Sequence, residues 1–227
     1  MKRTVRRNIR AASKVNSTQS VADTSSRRRR SPEEAKHEII QVARKYLLKK
    51  NFHGLTVEKL MLTTKIGRSA FYVYFSDLYD LAEIFIHELT EKIAQGAEGW
   101  LDRDDNTGAE LKSGLWSAVL LWEANGPMIR NLYEASLQDE RLSRIWRDKI
   151  AMGPINRVAD KIRKDQAAGL IVSVDPLEIS IALNQFNLTY LNDRFGYGRR
   201  RDKLVVLQTL ERVWLGTLYG KLPASLS

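Results

Sequence analysis

Apolar residues along most of the chain recur at intervals of three and four positions, the spacing of an amphipathic α-helix. The first such segment begins at residues 31–34, where a capping serine, a proline in the first turn and two acids predict a helix start. Two short helices follow at residues 57–64 and 67–74. Ser76 and Asp77 are placed to cap a longer fourth helix that reaches residue 98.

The remainder of the chain shows the same helical spacing and no convincing strand pattern or internal repeat. Pro127 is expected to start a new helix, and Gly153-Pro154 to kink or break a long one. The sequence therefore predicts an all-α fold of about nine helices. The further helices are predicted over 108–125, 127–137, 139–168, 175–193 and 200–219.

Charge is distributed unevenly along the 227 residues, whose formal net charge is +10. Residues 1–30 contain ten positive side chains against the single negative Asp23, and they contain almost no large apolar side chains. We expect a disordered basic arm, which attracts polyanions such as DNA. A solubilising tail without a partner is the alternative. The division predicted is an arm at 1–30, a DNA-binding domain at 31–80 and a ligand-binding and dimerisation domain at 81–227.

Composition limits the chemistry that the chain can perform. The sequence contains no cysteine, which excludes disulfides and thiolate chemistry and favours a cytoplasmic protein. No apolar run approaches the roughly 18 residues of a membrane span. The three histidines, His37, His53 and His87, lie on separate segments, and no phosphate-binding loop or nucleophile elbow is present. We expect no enzyme activity, no metal site and no cofactor.

The three short helices of residues 31–80 are the arrangement of a helix-turn-helix DNA-binding domain, whose third helix enters the major groove. Phe71 and Phe75, four positions apart, are predicted to pack inward. Arg68 could contact a guanine edge, and Tyr72 and Tyr74 could contact phosphates. The candidate DNA-contacting residues are Thr56, Lys65, Gly67, Arg68, Ser69, Tyr72, Val73 and Tyr74.

Residues 55–57 (Leu-Thr-Val) and 66–75 (Ile-Gly-Arg-Ser-Ala-Phe-Tyr-Val-Tyr-Phe) resemble the DNA-binding domain of the TetR (tetracycline-repressor) family. The resemblance implies a homodimeric repressor whose C-terminal helical domain binds a small molecule. Three positions depart from the usual pattern of the family. They are Lys65 in place of the turn glycine, Gly67 in place of the polar cap and Leu78 in place of a basic residue.

A second resemblance, to the subgroup containing the repressor of the ethionamide-activating monooxygenase, covers residues 34–220. It is carried by residues 183–187 (Leu-Asn-Gln-Phe-Asn), by Trp146 and by residues 212–220. The resemblance implies that Asn184, Asn187, Trp122 and Trp146 line a long, mainly apolar channel. The alternative is that these amides and indoles only fill the core.

The last two helices are the expected homodimer surface. Its candidate residues are Leu207, Leu210, Trp214 and Leu218, unless this stripe faces the domain's own core. The predicted function is that of a nucleoid-associated, sequence-specific regulator, released as a repressor from a palindromic operator by a small apolar or amphipathic ligand. The alternative is an architectural or global DNA-binding protein without a ligand switch.

Overall fold

The N-terminal helices of the computed structural model begin at the caps that the sequence predicts. In α1 (Pro32–Leu47), the Ser31 hydroxyl accepts from the Glu34 amide and the Glu34 carboxylate accepts from the Ser31 amide. α2 spans Val57–Thr64. The basic arm and Lys65 lie outside the described residues, which are 31–64, 66–102, 108–171, 173–198 and 201–220.

The third helix, α3, spans Arg68–Tyr74 and packs with α1 and α2 around a small apolar core. A 3-10 turn at Phe52–Gly54 connects α1 to α2. Burial of Phe71 in α3 and of Phe75 directly after it determines which side of the helix faces outward. The buried side chains of this core include Ile39, Ala43, Leu47, Leu60, Phe71 and Phe75.

Helix α4 (Leu78–Leu101) extends from α3 into the C-terminal part of the chain. Its 24 residues correspond to about 36 Å. The first half contacts α1 through the ion pair of Arg44 with Glu88, and the second half packs closely on α5. A Cβ atom at Gly96 would lie 2.7 Å from the Ser117 Cβ, so this approach requires glycine. Since α4 runs continuously across residue 80, the boundary between domains there stays a prediction.

Helix α5 (Ala109–Ser136) is continuous, whereas the sequence predicted separate helices on either side of Pro127. That prediction is wrong because buried side chains such as Trp122 and Ile129 pack on both sides of the proline. Their packing outweighs the one backbone hydrogen bond that Pro127 removes. The neighbouring Gly126 lets the backbone of Phe195 approach so closely that a Cβ atom would lie 2.7 Å from its carbonyl.

The predicted long helix after residue 139 is interrupted, but earlier than its Gly153-Pro154 pair indicates. α6 (Glu140–Trp146) continues into a π-helical turn at Arg147–Ala151, and α7 (Met152–Ala167) follows. The helix continues from the π turn into α7 without a non-helical cap, and Pro154, which cannot donate a backbone hydrogen bond, lies three residues after the turn. The irregularity that the sequence predicts is therefore present as a π turn before the proline and not as a break at the proline.

Helices α8 (Pro176–Phe195) and α9 (Lys203–Tyr219) complete the bundle, with α8 packed on α5 and α7 and α9 on α5 and α8. Throughout the described residues, the secondary structure consists of helices and turns without a strand, which confirms the all-α prediction. Among these residues, no helix is both long and apolar enough to cross a bilayer.

Candidate DNA-binding surface and ligand cavity

The surface of α3 has a buried side and an exposed side. Phe71 and Phe75 are buried as predicted, with ring centroids 5.3 Å apart, and Tyr74 is half-buried. The exposed side presents Arg68, Ser69, Tyr72 and Val73. These are side chains able to hydrogen-bond, to carry positive charge and to contact a methyl group, although their contact with DNA stays a prediction.

The ends of α2 and α3 position the remaining candidates. The exposed Thr56 caps α2, its hydroxyl accepting from the Lys59 amide at 3.1 Å. Gly67 caps α3 without a side-chain hydrogen bond. Sequence reasoning missed Leu62 of α2, whose side chain is 76% exposed. Its position away from the buried side of α2 was a signal that could have identified it.

A polar cluster joins the first turn of α4 to the first turn of α6. The Tyr79 hydroxyl donates to an Asp139 carboxylate oxygen at 2.5 Å. Arg141 donates to Asp77 at 2.5 Å, and its guanidinium lies 4.6 Å from the centroid of the Tyr79 ring. The cluster attaches the start of α4 to the C-terminal helices. It combines residues about 60 positions apart, and no local pattern indicates their pairing.

These contacts displace the pKa values of the three groups. The hydrogen bond to Asp139 raises the pKa of Tyr79, since it stabilises the protonated phenol. The same bond, with one from the Leu142 amide, lowers the pKa of Asp139. The hydrogen bond to Asp77 raises the pKa of Arg141. All three groups are therefore held in the ionisation states that keep the cluster together at neutral pH.

A second connection between the two parts of the chain comes from a buried amide. Asn131 of α5, 3% exposed, donates to the carbonyl oxygens of Leu47 at 2.8 Å and Lys50 at 3.0 Å. The Leu47 carbonyl is at the C-terminal end of α1, where no intrahelical donor is available, and the Lys50 carbonyl lies in the turn that follows. α5 thus holds the C-terminal end of α1.

Two cavities lie among the C-terminal helices, and they share a wall. The larger has a volume of about 180 Å³ and the smaller about 90 Å³. The larger lies between α4, α5, α7, α8 and α9, and Trp100 and Trp214 line it. Trp122 and Trp146 line the smaller cavity. Asn184 and Asn187 line both, so the four predicted ligand-binding residues surround one cavity system, while their contact with a ligand stays a prediction.

The partners of the two asparagines determine how their amides are oriented. An indole N–H only donates. The side-chain oxygen of Asn187 therefore accepts the hydrogen bond from Trp214 Nε1, at 2.9 Å. A backbone carbonyl only accepts, so Asn184 donates its amide nitrogen to Ser180 at 2.9 Å. Among the described residues, the side-chain nitrogen of Asn187 and the side-chain oxygen of Asn184 have no hydrogen-bond partner. Asn192 accepts a hydrogen bond from Trp122 Nε1 at 3.0 Å and holds that indole.

A buried polar network holds the Trp100 side of the larger cavity. Trp100 Nε1 donates to the Tyr219 hydroxyl at 3.2 Å, and that hydroxyl donates to Asp165 at 2.9 Å. Asp165 also receives a hydrogen bond of 2.6 Å from Lys161, and both charged side chains are almost completely buried. The network connects α4, α7 and α9 around the cavity.

The four residues predicted for the dimer surface are buried within their own chain, which corrects that prediction. Their exposed fractions are small, and Trp214 lines the larger cavity. Helical spacing identifies an apolar stripe but does not say whether it faces the same chain or another one. The exposed apolar side chains of α9 are instead Leu204 and Val205, at 61% and 55%. The buried four are Leu207, Leu210, Trp214 and Leu218.

Comparison with known proteins relates this architecture to solved structures. No protein-family model matches the chain, and no curated protein matches it. The solved structure of a protein from Mesorhizobium loti assigned to the TetR family of transcriptional regulators is similar. It is 16% identical, with a TM-score of 0.65 over 83% of this chain and 98% of that one. The chain has the TetR-family fold.

Two further solved structures with other sequences share this architecture. One is assigned to the TetR family and comes from Rhodococcus sp., with 18% identity and a TM-score of 0.65 over 82% of this chain and 99% of that one. The other is AibR in complex with isovaleryl coenzyme A and operator DNA, with 15% identity and a TM-score of 0.61 over 82% of this chain and 98% of that one. At these identities the likeness concerns the fold.

Proposed function

We propose that the chain is a sequence-specific, DNA-binding transcriptional regulator of the TetR family. The observation that carries the proposal is the two-sided surface of α3. Its phenylalanines are buried, while Arg68, Tyr72 and Val73 are exposed on a short helix held by two others. This is the geometry that a major-groove recognition helix requires. AibR, which has the same fold, forms a complex with operator DNA.

The exposed residues of α3 would divide their contacts between bases and phosphates. Arg68, in the first turn, is long enough to donate to guanine O6 and N7. Val73 offers a methyl surface to thymine, and the Tyr72 hydroxyl would contact a phosphate. Lys65, Thr56 and the other candidates would position the helix on the backbone. Specificity is therefore expected to depend on Arg68 and Val73, and affinity on the rest.

The second part of the proposal is that the protein is a repressor released from its operator by a small amphipathic ligand in the cavity system. α4 supports this coupling, because Ile93 and Trp100 near its C-terminal end line the larger cavity while its first residue follows α3 closely. A ligand would release DNA only by binding better to a conformation unsuited to the operator. Asn184 and Asn187, which the second resemblance implies as ligand-binding residues, lie on the wall that the two cavities share.

A homodimer is the third part. Its surface would use the exposed residues of α8 and α9 in place of the buried stripe, with Leu204 and Val205 at its centre. Exposed apolar side chains on the last helix are compatible with a four-helix bundle formed by two copies. Two half-sites one helical turn apart, about 34–36 Å, would then be bound together. A cytoplasmic, nucleoid-bound protein follows from this function.

The experiment that tests the DNA-binding proposal is selection of bound sequences from a random duplex pool, followed by footprinting. We expect one palindromic site to be enriched and protected. Arg68→Gln is the test variant for base recognition. Arg163→Gln, at an exposed residue of α7, is its matched control, because each change removes one positive charge. Enrichment of many unrelated weak sites would instead support the architectural alternative, and no enrichment would contradict DNA binding.

A further inference from the structure

The charged residues that line the two cavities are unequally distributed. Lys92 of α4 and Arg157 of α7 line the larger cavity, and both are cations. Among the described residues, the walls of both cavities include no aspartate or glutamate. The smaller cavity has only uncharged walls, formed mainly by side chains such as Trp122, Ile150 and Leu191. The cavity system therefore has a cationic part and an apolar part.

We propose that the cavity ligand is an amphiphile with an anionic head group, a carboxylate or a phosphate ester. The head group binds between Lys92 and Arg157, and the apolar chain extends past Asn184 and Asn187 toward Trp122. The inference rests on the ligand-binding part of the proposed function and names the chemical class of that ligand.

The state of Arg157 supports an anion at this place. Among the described residues it forms an ion pair with Asp102, which lies 3.7 Å from a guanidinium nitrogen and has a side chain that is 67% exposed. An ion pair this long and this exposed is weak, so a ligand anion can replace it. A guanidinium can hold a carboxylate or a phosphate through two parallel hydrogen bonds. Lys92, which is exposed to solvent, adds a second positive charge.

Ligands with a cationic or a neutral head group fit the larger cavity less well. A cationic head group would meet two cations and no acid on the described walls. A neutral amphiphile would leave both cations without a role and would use only the free donor of Asn187 and the free acceptor of Asn184. Those amides lie on the wall between the two cavities, where they can contact an ester, amide or hydroxyl group along the chain of the ligand.

The test is a titration of the full chain, without DNA, with four ten-carbon probes below their micelle concentrations: decanoate, decyl phosphate, decanol and decylamine. The emission of Trp100 and Trp214, which line the larger cavity, reports binding, and calorimetry measures it independently. We expect at least one anion to bind about tenfold more tightly than decanol, and decylamine more weakly still. The stronger of the two anions identifies the head group. If the tail is buried, each methylene removed should weaken binding about fourfold, and octanoate has two methylenes fewer than decanoate.

Two variants separate the head-group site from general effects on folding. Arg157→Gln and Lys92→Gln should each reduce anion affinity several-fold and leave decanol affinity unchanged. Arg163→Gln, on the same helix but outside the cavity walls, is the matched control and should change neither. Arg157→Lys should retain part of the anion preference.

Equal binding of decanol and the anions would overturn the proposal, and so would an equal loss of anion affinity in Arg163→Gln. Binding of no probe would also overturn it. Since DNA-site selection is measured separately, such a failure is distinguishable from failure of the DNA-binding function, which would appear as the absence of an enriched site.

Discussion

The helix-turn-helix segment (residues 31–80) and the C-terminal segment (residues 81–220) use buried aromatic side chains differently. In the first, Phe71 and Phe75 are 0% and 3% exposed and fill a core beneath an exposed surface. In the second, Trp100 and Trp214 are almost as buried, yet they form walls of a cavity. In the first segment the candidate DNA-contacting side chains lie outside the core, whereas in the second the candidate ligand-contacting side chains belong to the core. Substitutions should therefore affect either stability or binding in the first segment, but both together in the second.

The polar candidates differ in the same way. Arg68 and Tyr72 face solvent, so their substitution removes few contacts within the chain. Asn184 and Asn187 already have hydrogen-bond partners in α8 and α9. A substitution at either asparagine changes packing as well as any ligand contact, and the two effects have to be measured apart.

The largest expected effect tests the core of the helix-turn-helix segment. Phe71→Ala should lower the free energy of unfolding by about 3–5 kcal/mol, because it leaves a cavity at a fully buried position. Val73→Ala, at a side chain 74% exposed, is the control and should stay within about 0.5 kcal/mol. Urea unfolding followed by circular dichroism measures both. Similar losses from the two variants would contradict the division of α3 into two sides.

The next effect compares the two cavity asparagines. Asn187→Leu leaves the Trp214 N–H without its acceptor, so the free energy of unfolding should fall by about 1–3 kcal/mol. Asn184→Leu removes a bond to a carbonyl that α8 itself already engages, and its effect should be well below that. Both variants should weaken ligand response and retain ligand-free operator binding. Unfolding curves and DNA titrations with and without the ten-carbon probes measure these outcomes, and loss of operator binding would make the amides purely structural.

An effect of similar size is expected for substitutions at the DNA-contacting residues, but it concerns binding specificity and not the free energy of unfolding. Arg68→Ala should cost about 1–3 kcal/mol of discrimination at one base pair. Tyr72→Phe should weaken operator and random DNA alike, because a phosphate contact carries no base information. Competition titrations at constant salt measure both. An unchanged sequence preference in Arg68→Ala would show that this side chain does not contact a base edge.

The smallest effect concerns the cluster that joins the segments. The pKa of Asp139 is lowered in the folded chain, so its contribution to stability is present above its unfolded pKa and is lost as pH falls through the folded value. Tyr79→Phe should remove the hydrogen bond and lower stability near neutral pH by less than about 1 kcal/mol, since the bond is only partly buried and solvent screens it. The difference between wild type and variant should shrink as pH falls through the folded pKa of Asp139 and vanish once this carboxyl group is protonated. A difference that persists in acid while both proteins stay folded would contradict the assigned partner.

Much of the fold follows from residues that are close in sequence. The capping box at Ser31 and the cap at Asp77 act within four residues, and both helices start there. The pattern of α3 also suffices to assign Phe71 to the core and Tyr72 to the surface. The four cavity residues came from a resemblance, which placed them on one surface without indicating the shape of the cavity or its cations.

The sequence by itself determined the helical class, the caps, the two sides of α3 and the charge of the arm, because each depends on composition or on neighbours within one or two turns. Only the tertiary structure decided that α5 continues through Pro127 and that the stripe around Trp214 faces its own chain. It also decided that Tyr79 meets Asp139 and that Lys92 and Arg157 line one cavity. These outcomes depend on packing between segments that are far apart along the chain, and such packing can outweigh a local preference of a few kcal/mol.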